Sequence, residues 1–152
     1  MPKVTSKITM KINNSMKLII PSRSQNESFS RSAVAAFASQ LDPTVEEIND
    51  IKAAASEAVT NSIVHGYADK IGDIEIIARI LENNVFYIRI KDKGIGIDDI
   101  KQAMLPLFTT SAEGERAGLG FAVMESFMDK LRVTSKPGKG TTVIMTKRIK
   151  SR

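Results

Sequence analysis

Residues 57–66 have the sequence Glu-Ala-Val-Thr-Asn-Ser-Ile-Val-His-Gly, which is the most informative stretch of the chain. Glu57 and Asn61 are four residues apart, so on a helix they share one face. The residues of that face are Ala54, Glu57, Ala58, Asn61 and His65. Small neighbours leave room for a bulky ligand, and a carboxylate beside an amide suits a magnesium ion or a water near a phosphate. By spacing alone, a solvated helix face is the commoner explanation of this pattern.

A long helix is predicted to carry this stretch and to start near Thr44. Thr44 and Glu47 fit a capping box. In the alternative, Asp42 caps the helix and Pro43 takes its first position. Gly66 is well placed to end it. An apolar stripe on the opposite side of the helix is expected to face the core, and it consists of Val45, Ile48, Ile51, Ala55, Val59 and Ile63.

Upstream of this helix, the sequence predicts an edge strand and a first helix. Apolar residues alternate at Met16, Leu18 and Ile20, and Pro21 ends the run in the way expected of an edge strand. Apolar residues at helical spacing then predict a helix. Its core-facing residues are expected to be Phe29, Ala33, Ala36, Phe37 and Leu41.

Downstream, two alternating apolar runs predict a β-hairpin with its turn at residues 82–84. Its core-facing residues are expected to be Ile74, Ile76, Ala78, Ile80, Phe86, Ile88 and Ile90. A short helix over residues 98–104, a helix after the polar stretch 109–120, and strands over 131–135 and 141–146 follow. Because strands and helices do not alternate regularly, we expect an α+β fold, a two-layer sandwich with helices on one face of a mixed, mostly antiparallel sheet.

The sequence Asp92-Lys93-Gly94-Ile95-Gly96 comes at the end of the second hairpin strand. An aspartate at a strand end can accept a hydrogen bond from an exocyclic amine, and glycines let the backbone approach a flat ring. An ordinary turn would explain the same residues.

A second glycine motif, Arg116-Ala117-Gly118-Leu119-Gly120-Phe121, is predicted to lie at the start of a helix. Backbone N–H groups at a helix start favour anions, so this motif is a candidate phosphate cradle, to which Arg116 could add a charge-assisted bond. A flexible loop before a helix is the alternative. The motif is not a Walker A loop, because it lacks the Gly-Lys-Ser/Thr that ends one.

Composition narrows the classes of function. The chain has no cysteine, which excludes disulfides, thiolate zinc sites and thiol nucleophiles. The net charge of +5 comes partly from the ends of the chain, and aromatic residues make up only 5%, so nucleic acid is not an expected partner. No apolar run is long enough to cross a membrane, and we expect a cytoplasmic protein. His65, the only histidine, is given no catalytic role.

The length of 152 residues fits one domain. We expect an N-terminal tail or first strand over residues 1–15, the domain itself over 16–148 and a basic tail over 149–152. A longer protein would be needed for the phosphoacceptor region of a histidine kinase or for the further domains of a gyrase- or chaperone-type ATPase.

The order of these motifs resembles the GHKL (Bergerat) ATPase family over about residues 16–147. The N box would be residues 57–66, and the three glycine boxes would be 92–96, 118–120 and 140–142. Within that family the chain is similar to the anti-sigma factors of spore-forming bacteria that are also serine kinases. The supporting blocks are residues 24–29, 40–44, 57–67, 106–110 and 124–129. The kinases of the general stress response share the boxes but match these blocks less well.

The resemblance implies a role for each matching residue. Glu57 would be the general base, Asn61 the Mg²⁺ ligand and Asp92 the acceptor for the adenine amine. The remaining residues of the implied nucleotide site are Gly94, Gly96, Thr109, Thr110, Arg116, Gly118, Gly120 and Thr141. Arg31 would contact the sigma factor. Ala117, where a serine is usual, and residues 111–115 depart from the family pattern in the lid.

The resemblance also implies partners and cofactors: ATP or ADP with Mg²⁺, a sporulation sigma factor held inactive, an anti-anti-sigma factor phosphorylated on serine, and a homodimer. An interaction module that binds nucleotide without transferring phosphate is the other class of function. Glu57 argues against it, because such a module would not need the base.

Overall fold

In a computed structural model of the chain, residues 10–100 and 112–150 are described, with the backbone alone for 112–118. The strands are β1 Ile12–Pro21, β2 Asp73–Leu81, β3 Val85–Asp92, β4 Lys130–Lys136 and β5 Gly140–Arg148. The helices are α1 Gln25–Ala38, α2 Val45–Asn61 and α3 Ala112–Phe127. Short 3₁₀ turns lie at Ser39–Leu41 and Glu82–Asn84, and a π turn, Ser62–Gly66, extends α2.

The five strands form one sheet in the order β1-β2-β3-β5-β4. Every strand pair in the described part of the chain is antiparallel. β1 is an edge strand, as its alternation and Pro21 predicted, and it begins at Ile12. The α+β fold is thereby confirmed.

One face of the sheet forms the core together with the helices. All seven residues predicted to face the core on β2 and β3 are buried. All of them except Ile80 belong to one core cluster, which also contains Val143 and Met145 of β5, Ile51 of α2 and Phe121 of α3. The burial follows from the two-residue period of a strand, which sends alternate side chains to one face.

The turn between β2 and β3 is the predicted hairpin turn. Asn83 and Asn84 have φ of 63° and 59°, which is the combination that a tight turn between right-twisted strands requires. Asparagine tolerates this conformation better than most residues. The Asn84 carbonyl also accepts a hydrogen bond from the N–H of Ile149 (2.8 Å), and Ile149 is buried, so the packed chain continues beyond β5.

Helix α2 starts with the predicted capping box. The Glu47 N–H donates to Thr44 Oγ1 (3.0 Å), and the Thr44 N–H donates to Glu47 Oε1 (2.8 Å). Asp42 does not cap the helix, since it has a left-handed backbone (φ 52°) at the end of the preceding 3₁₀ turn. The core stripe is buried at Ile51, Ala55 and Val59, but Val45 is 76% exposed, so the prediction fails in the first turn.

The face of α2 that carries Glu57 and Asn61 is not a solvated face. Its small residues Ala54 and Ala58 are fully buried. α2 contacts both α1 and α3, and it therefore lies between two helices above the sheet. The polar side chains of this face thus lie where helices meet.

The prediction for α1 was correct for Phe37 and Leu41, which pack partly buried against the core, and wrong for Phe29 and Ala36. Phe29 is 55% exposed and Ala36 is also exposed, whereas the buried residues are Ser30, Val34 and Ala38. This stripe of smaller side chains at a spacing of four lets α1 approach its neighbours closely. Ser30 can be buried because its hydroxyl donates to the Glu27 carbonyl (2.8 Å). The ring of Phe29 therefore stays outside the core, whereas that of Phe37 packs against it.

No helix in the described ranges is long and apolar enough to cross a membrane.

The capping box gives a prediction for stability. Thr44→Ala removes the oxygen that accepts from Glu47 N–H, and we expect it to lower the free energy of unfolding by about 1 kcal/mol. Thr44→Ser keeps the oxygen and should lose much less. Urea denaturation of both variants measures the difference, and equal stability of the alanine and serine variants would contradict the role of the cap.

Candidate active site

A cavity of about 180 Å³ lies where the end of α2 meets the end of β3, the start of β5 and helix α3. Its lining residues are Ala58, Asn61, Ser62, His65, Gly66, Asp92, Gly96, Ile97, Phe121, Thr141 and Val143. Four residues predicted from the sequence, Asn61, Asp92, Gly96 and Thr141, therefore meet in one place. Most of the lining is apolar or small, with a few convergent polar groups, as in a typical small-molecule site.

Asp92 is the charged residue of this cavity and is only 4% exposed. Its Oδ1 accepts hydrogen bonds from the N–H of Gly94 (2.9 Å) and of Thr141 (3.2 Å). Its Oδ2 accepts one from the Ser62 hydroxyl (2.7 Å). A carboxylate offers about four acceptor positions, so one is left for a ligand that donates. An exocyclic amine is such a donor.

Ser62 reaches the carboxylate from the end of the regular winding of α2, where its own N–H still donates to the Ala58 carbonyl, and the helix widens only after it. The N–H of Tyr67 donates to the Ser62 carbonyl (2.9 Å), five residues back, as in a π turn. Such wide turns are frequent at functional sites. The turn brings Gly66 against the end of β3, next to Ser62.

Gly94 makes this contact possible. A Cβ on Gly94 would lie 2.1 Å from the Gly66 carbonyl oxygen, which no side chain tolerates. The N–H of Ile95 donates to that same oxygen (2.9 Å). The first glycine motif therefore lets two backbones pack directly together at the cavity wall.

Glu57 and Asn61 meet at Gly120 of α3. A Cβ on Gly120 would lie 3.1 Å from Glu57 Oε2 and 3.2 Å from Asn61 Nδ2. The Asn61 Nδ2 atom is buried and has no hydrogen-bond partner within the described residues. A buried amide without a partner is costly, so this one is suited to a ligand. The missing side chain at Gly120 gives that amide room.

Glu57 also lines a second cavity of about 540 Å³, formed by α1, α2 and α3. Its lining residues are Ser24, Glu27, Ser56, Glu57, Thr60, Ile63, Val64, Leu119 and Val123. Glu57 lines the second cavity and Asn61 lines the first, and both lie next to Gly120. The two cavities therefore approach each other at Gly120. A carboxylate in this position can accept a hydrogen bond from a group that enters through the second cavity.

The predicted position of the second glycine motif was wrong. α3 starts at Ala112, so Arg116, Gly118 and Gly120 lie inside the helix and not at its start. The N–H groups left free at a helix start belong to its first four residues, here 112–115. Thr109 and Thr110, the other predicted residues of this region, lie outside the described residues.

Two hydroxyl groups of the site were missed by the sequence analysis. Ser62 binds Asp92, as described above. The Ser135 hydroxyl accepts from the Ile97 N–H (2.8 Å) and lies 2.8 Å from Thr141 Oγ1. Ser135 and Thr141 are partners across β4 and β5, so the strand register was the signal that could have found Ser135. This contact fixes the Thr141 side chain at the cavity.

Arg31 lies apart from the first cavity, on α1. Its side chain is 39% exposed, and its Nη1 is 3.7 Å from Glu27 Oε1. Glu27 also accepts a hydrogen bond from the Ser56 hydroxyl. Arg31 is thus connected to the wall of the second cavity through Glu27.

Residues 20–147 match the sequence model of a protein family, the histidine kinase-like ATPase domain. The chain therefore belongs to the histidine kinase-like ATPase domain family. It is 61% identical to the anti-sigma F factor of Caldanaerobacter subterraneus subsp. tengcongensis, over 92% of this chain and 97% of that relative. It is also 61% identical to the anti-sigma F factor of Thermoanaerobacter sp. strain X514, over 93% and 99%. Within the ATPase domains, the chain is a member of the anti-sigma F factor family.

A solved structure shows the same fold. The structure of the RsbU and RsbW domains of Rv1364c from Mycobacterium tuberculosis matches 90% of this chain, with a TM-score of 0.65 and 19% identity. The match covers 32% of that longer chain. This similarity confirms the α+β architecture of the chain.

Asp92 provides the test of the first cavity. Asp92→Asn keeps an oxygen for the two backbone N–H groups, and the Ser62 hydroxyl can turn to accept from the new amide. We therefore expect a small loss of stability. The same amide would face a ligand amine with a donor, and we expect the Kd for ATP to rise at least about ten-fold.

Asp129→Asn is the matched control, because the Asp129 carboxylate also accepts a backbone N–H, that of Arg148 (2.6 Å), away from the cavity. ATP titration and thermal unfolding of both variants separate the two effects. A loss of stability with unchanged ATP affinity would show that Asp92 only holds the turn.

Proposed function

We propose that this protein is an ATP-dependent serine kinase that also acts as an anti-sigma factor. It would sequester a sporulation sigma factor and phosphorylate a serine of an anti-anti-sigma factor. The observation that supports this most directly is the meeting of Glu57 and Asn61 at Gly120, between a cavity with a buried acceptor and a second, larger cavity. The family membership supports the use of ATP, and the names of the relatives support a sigma factor as partner.

The nucleotide would occupy the first cavity. Asp92 would accept a hydrogen bond from the adenine amine, next to the Thr141 hydroxyl. Asn61 would hold Mg²⁺ through Oδ1, and its buried Nδ2, which has no partner among the described residues, would stay available as a donor to the ligand. ATP with Mg²⁺ would supply the phosphoryl group and neutralise its charge. The polar groups and small residues of the first cavity suit the adenine end of this ligand, and Arg116, Gly118, Thr109 and Thr110 stay candidates for the phosphates.

Glu57 would act as the general base. Phosphoryl transfer requires mainly positioning and electrostatic stabilisation, with a base that accepts the proton of the attacking hydroxyl. The acceptor serine would enter through the second cavity, whose apolar wall includes Ile63, Val64 and Leu119. The Glu57 carboxylate would then accept the serine proton at Oε1 or Oε2.

Arg31 would contribute to the sigma-factor surface. A planar guanidinium suits acidic groups on a partner. Arg31 is partly exposed, so its charge can reach a partner while Glu27 holds its position. We further propose that the functional unit is a homodimer. A kinase of the general stress response is the alternative within the family, and a binding module without transfer is the alternative outside kinases.

Glu57→Gln tests the base. The amide keeps the shape and removes the proton acceptor, so we expect phosphoryl transfer to fall by about 10²- to 10⁴-fold while ATP affinity stays the same. Glu46→Gln, in the exposed first turn of the same helix, is the matched control. The assay uses radiolabelled ATP with the anti-anti-sigma protein of the same genome. Transfer near the wild-type rate would remove Glu57 from the mechanism, and no transfer by the wild type would favour the binding module.

Arg31→Glu tests the partner surface. We expect sigma-factor affinity to fall at least about 30-fold, because a guanidinium that meets acidic groups becomes a repelling carboxylate. ATP affinity and thermal stability should stay close to the wild type. Arg132→Glu, the same change on exposed residue 132 of β4, is the control. Calorimetry with the purified sigma factor decides, and tight binding by the Arg31 variant would place the surface elsewhere.

A further inference from the structure

Tyr67 directly follows the π turn and is only 5% exposed. Its hydroxyl donates to the Asp73 carbonyl (2.7 Å) and accepts from the Lys93 N–H (2.6 Å). The Tyr67 hydroxyl is protonated at neutral pH and can donate, and burial raises its pKa further. One hydroxyl therefore connects the start of β2 to the loop after β3.

The ring of Tyr67 is held in place as well. A Cβ on Gly72 would lie 2.3 Å from the ring, so the glycine lets the backbone lie against the aromatic face. Gly72 in turn exchanges two hydrogen bonds with Ser22: its N–H donates to Ser22 Oγ (3.0 Å), and its carbonyl accepts from the Ser22 N–H (2.8 Å). The hydroxyl of Tyr67 is thus carried by a rigid support that reaches back to the end of β1.

Lys93 lies between Asp92, which lines the first cavity, and Gly94, whose N–H donates to the Asp92 carboxylate. On one side, this loop is tied to the π turn through Ser62 to Asp92 and through Ile95 to Gly66. The bond from Lys93 N–H to Tyr67 holds the peptide that joins Asp92 to Lys93. Since the orientation of that peptide affects the direction of the Asp92 side chain, loss of the hydrogen bond from Lys93 N–H is expected to alter the position of the Asp92 carboxylate.

We propose that Tyr67 is a positioning residue for the nucleotide base, which acts by fixing the Lys93 peptide and hence the orientation of the Asp92 carboxylate. The inference rests on the proposed nucleotide-binding function. Tyr67 itself does not line the first cavity, so its effect on a ligand is transmitted through the loop. A residue that only fills space in the core would need its ring and not its hydroxyl.

Tyr67→Phe removes the hydroxyl and keeps the ring. We expect the Kd for ATP to rise about ten-fold, as for the loss of a buried hydrogen bond that orients the site. The rate of phosphoryl transfer at saturating ATP should stay within about two-fold, because Glu57 is untouched. Amide hydrogen exchange at Lys93 should become faster in the variant.

Tyr87→Phe is the matched control. It is the same change at the other tyrosine of the chain, whose ring lies under Arg79 on the opposite face of the sheet. This control should change neither the Kd nor the exchange of Lys93. Faster exchange at Lys93 with an unchanged Kd would overturn the inference and leave the proposed nucleotide site intact. Absence of ATP binding by the wild type would overturn both.

A measurement on the wild type covers the case in which Tyr67→Phe does not fold. If the Lys93 bond is part of the binding-competent loop, saturating ATP should slow exchange at the Lys93 N–H, since binding and loop order are linked reciprocally. Unchanged exchange at Lys93, with clear protection at Gly94 or Thr141, would overturn the role of Tyr67.

Discussion

A buried carboxylate has to be compensated, and Asp92 is compensated by hydrogen bonds from three separate parts of the chain. Removing an ionised group from water is costly unless it is fully hydrogen-bonded. The π turn, the loop after β3 and the start of β5 must therefore come together around this one side chain. The same requirement explains why glycines stand at positions 66, 94 and 140, where added side chains would meet Asp92 or its neighbours. The rest of the cavity is built on this junction.

The sheet could be predicted from the sequence because its signals are local. Alternation of apolar residues fixed the buried faces of β2 and β3, and Thr44 with Glu47 gave the start of α2. The orientation of α1 could not be predicted in this way. Phe29 and Phe37 are the largest apolar side chains on that helix, yet only Phe37 packs against the core. The fully buried residues are Ser30, Val34 and Ala38, because small side chains permit a closer approach. Packing between helices depends on shape as well as hydrophobicity.

In the candidate site, too, residues within local motifs could be predicted, whereas residues that depend on tertiary contacts could not. Asn61, Asp92 and Thr141 belong to recognisable motifs, and the fold brings them together. Ser62 was missed because it lies about 100° around the helix from Asn61, off the face that carries Glu57 and Asn61, and no local pattern shows that β3 ends beside it. Gly120 was expected to meet phosphate at a helix start. It lies instead within α3, where the absence of a side chain leaves space beside Glu57 and Asn61.

The two proposed activities, sigma-factor binding and serine phosphorylation, involve the same region of the surface, next to the second cavity. Glu27 lines the second cavity together with Glu57, and it also pairs with Arg31 and accepts a hydrogen bond from Ser56. A partner that engages Arg31 would therefore border the cavity through which an acceptor serine would reach the base. Two partners that both need this region cannot occupy it together without overlapping. On the proposed function, sigma-factor binding and phosphorylation would then be alternatives at one surface, and the occupant of the neighbouring nucleotide cavity is in a position to bias the choice.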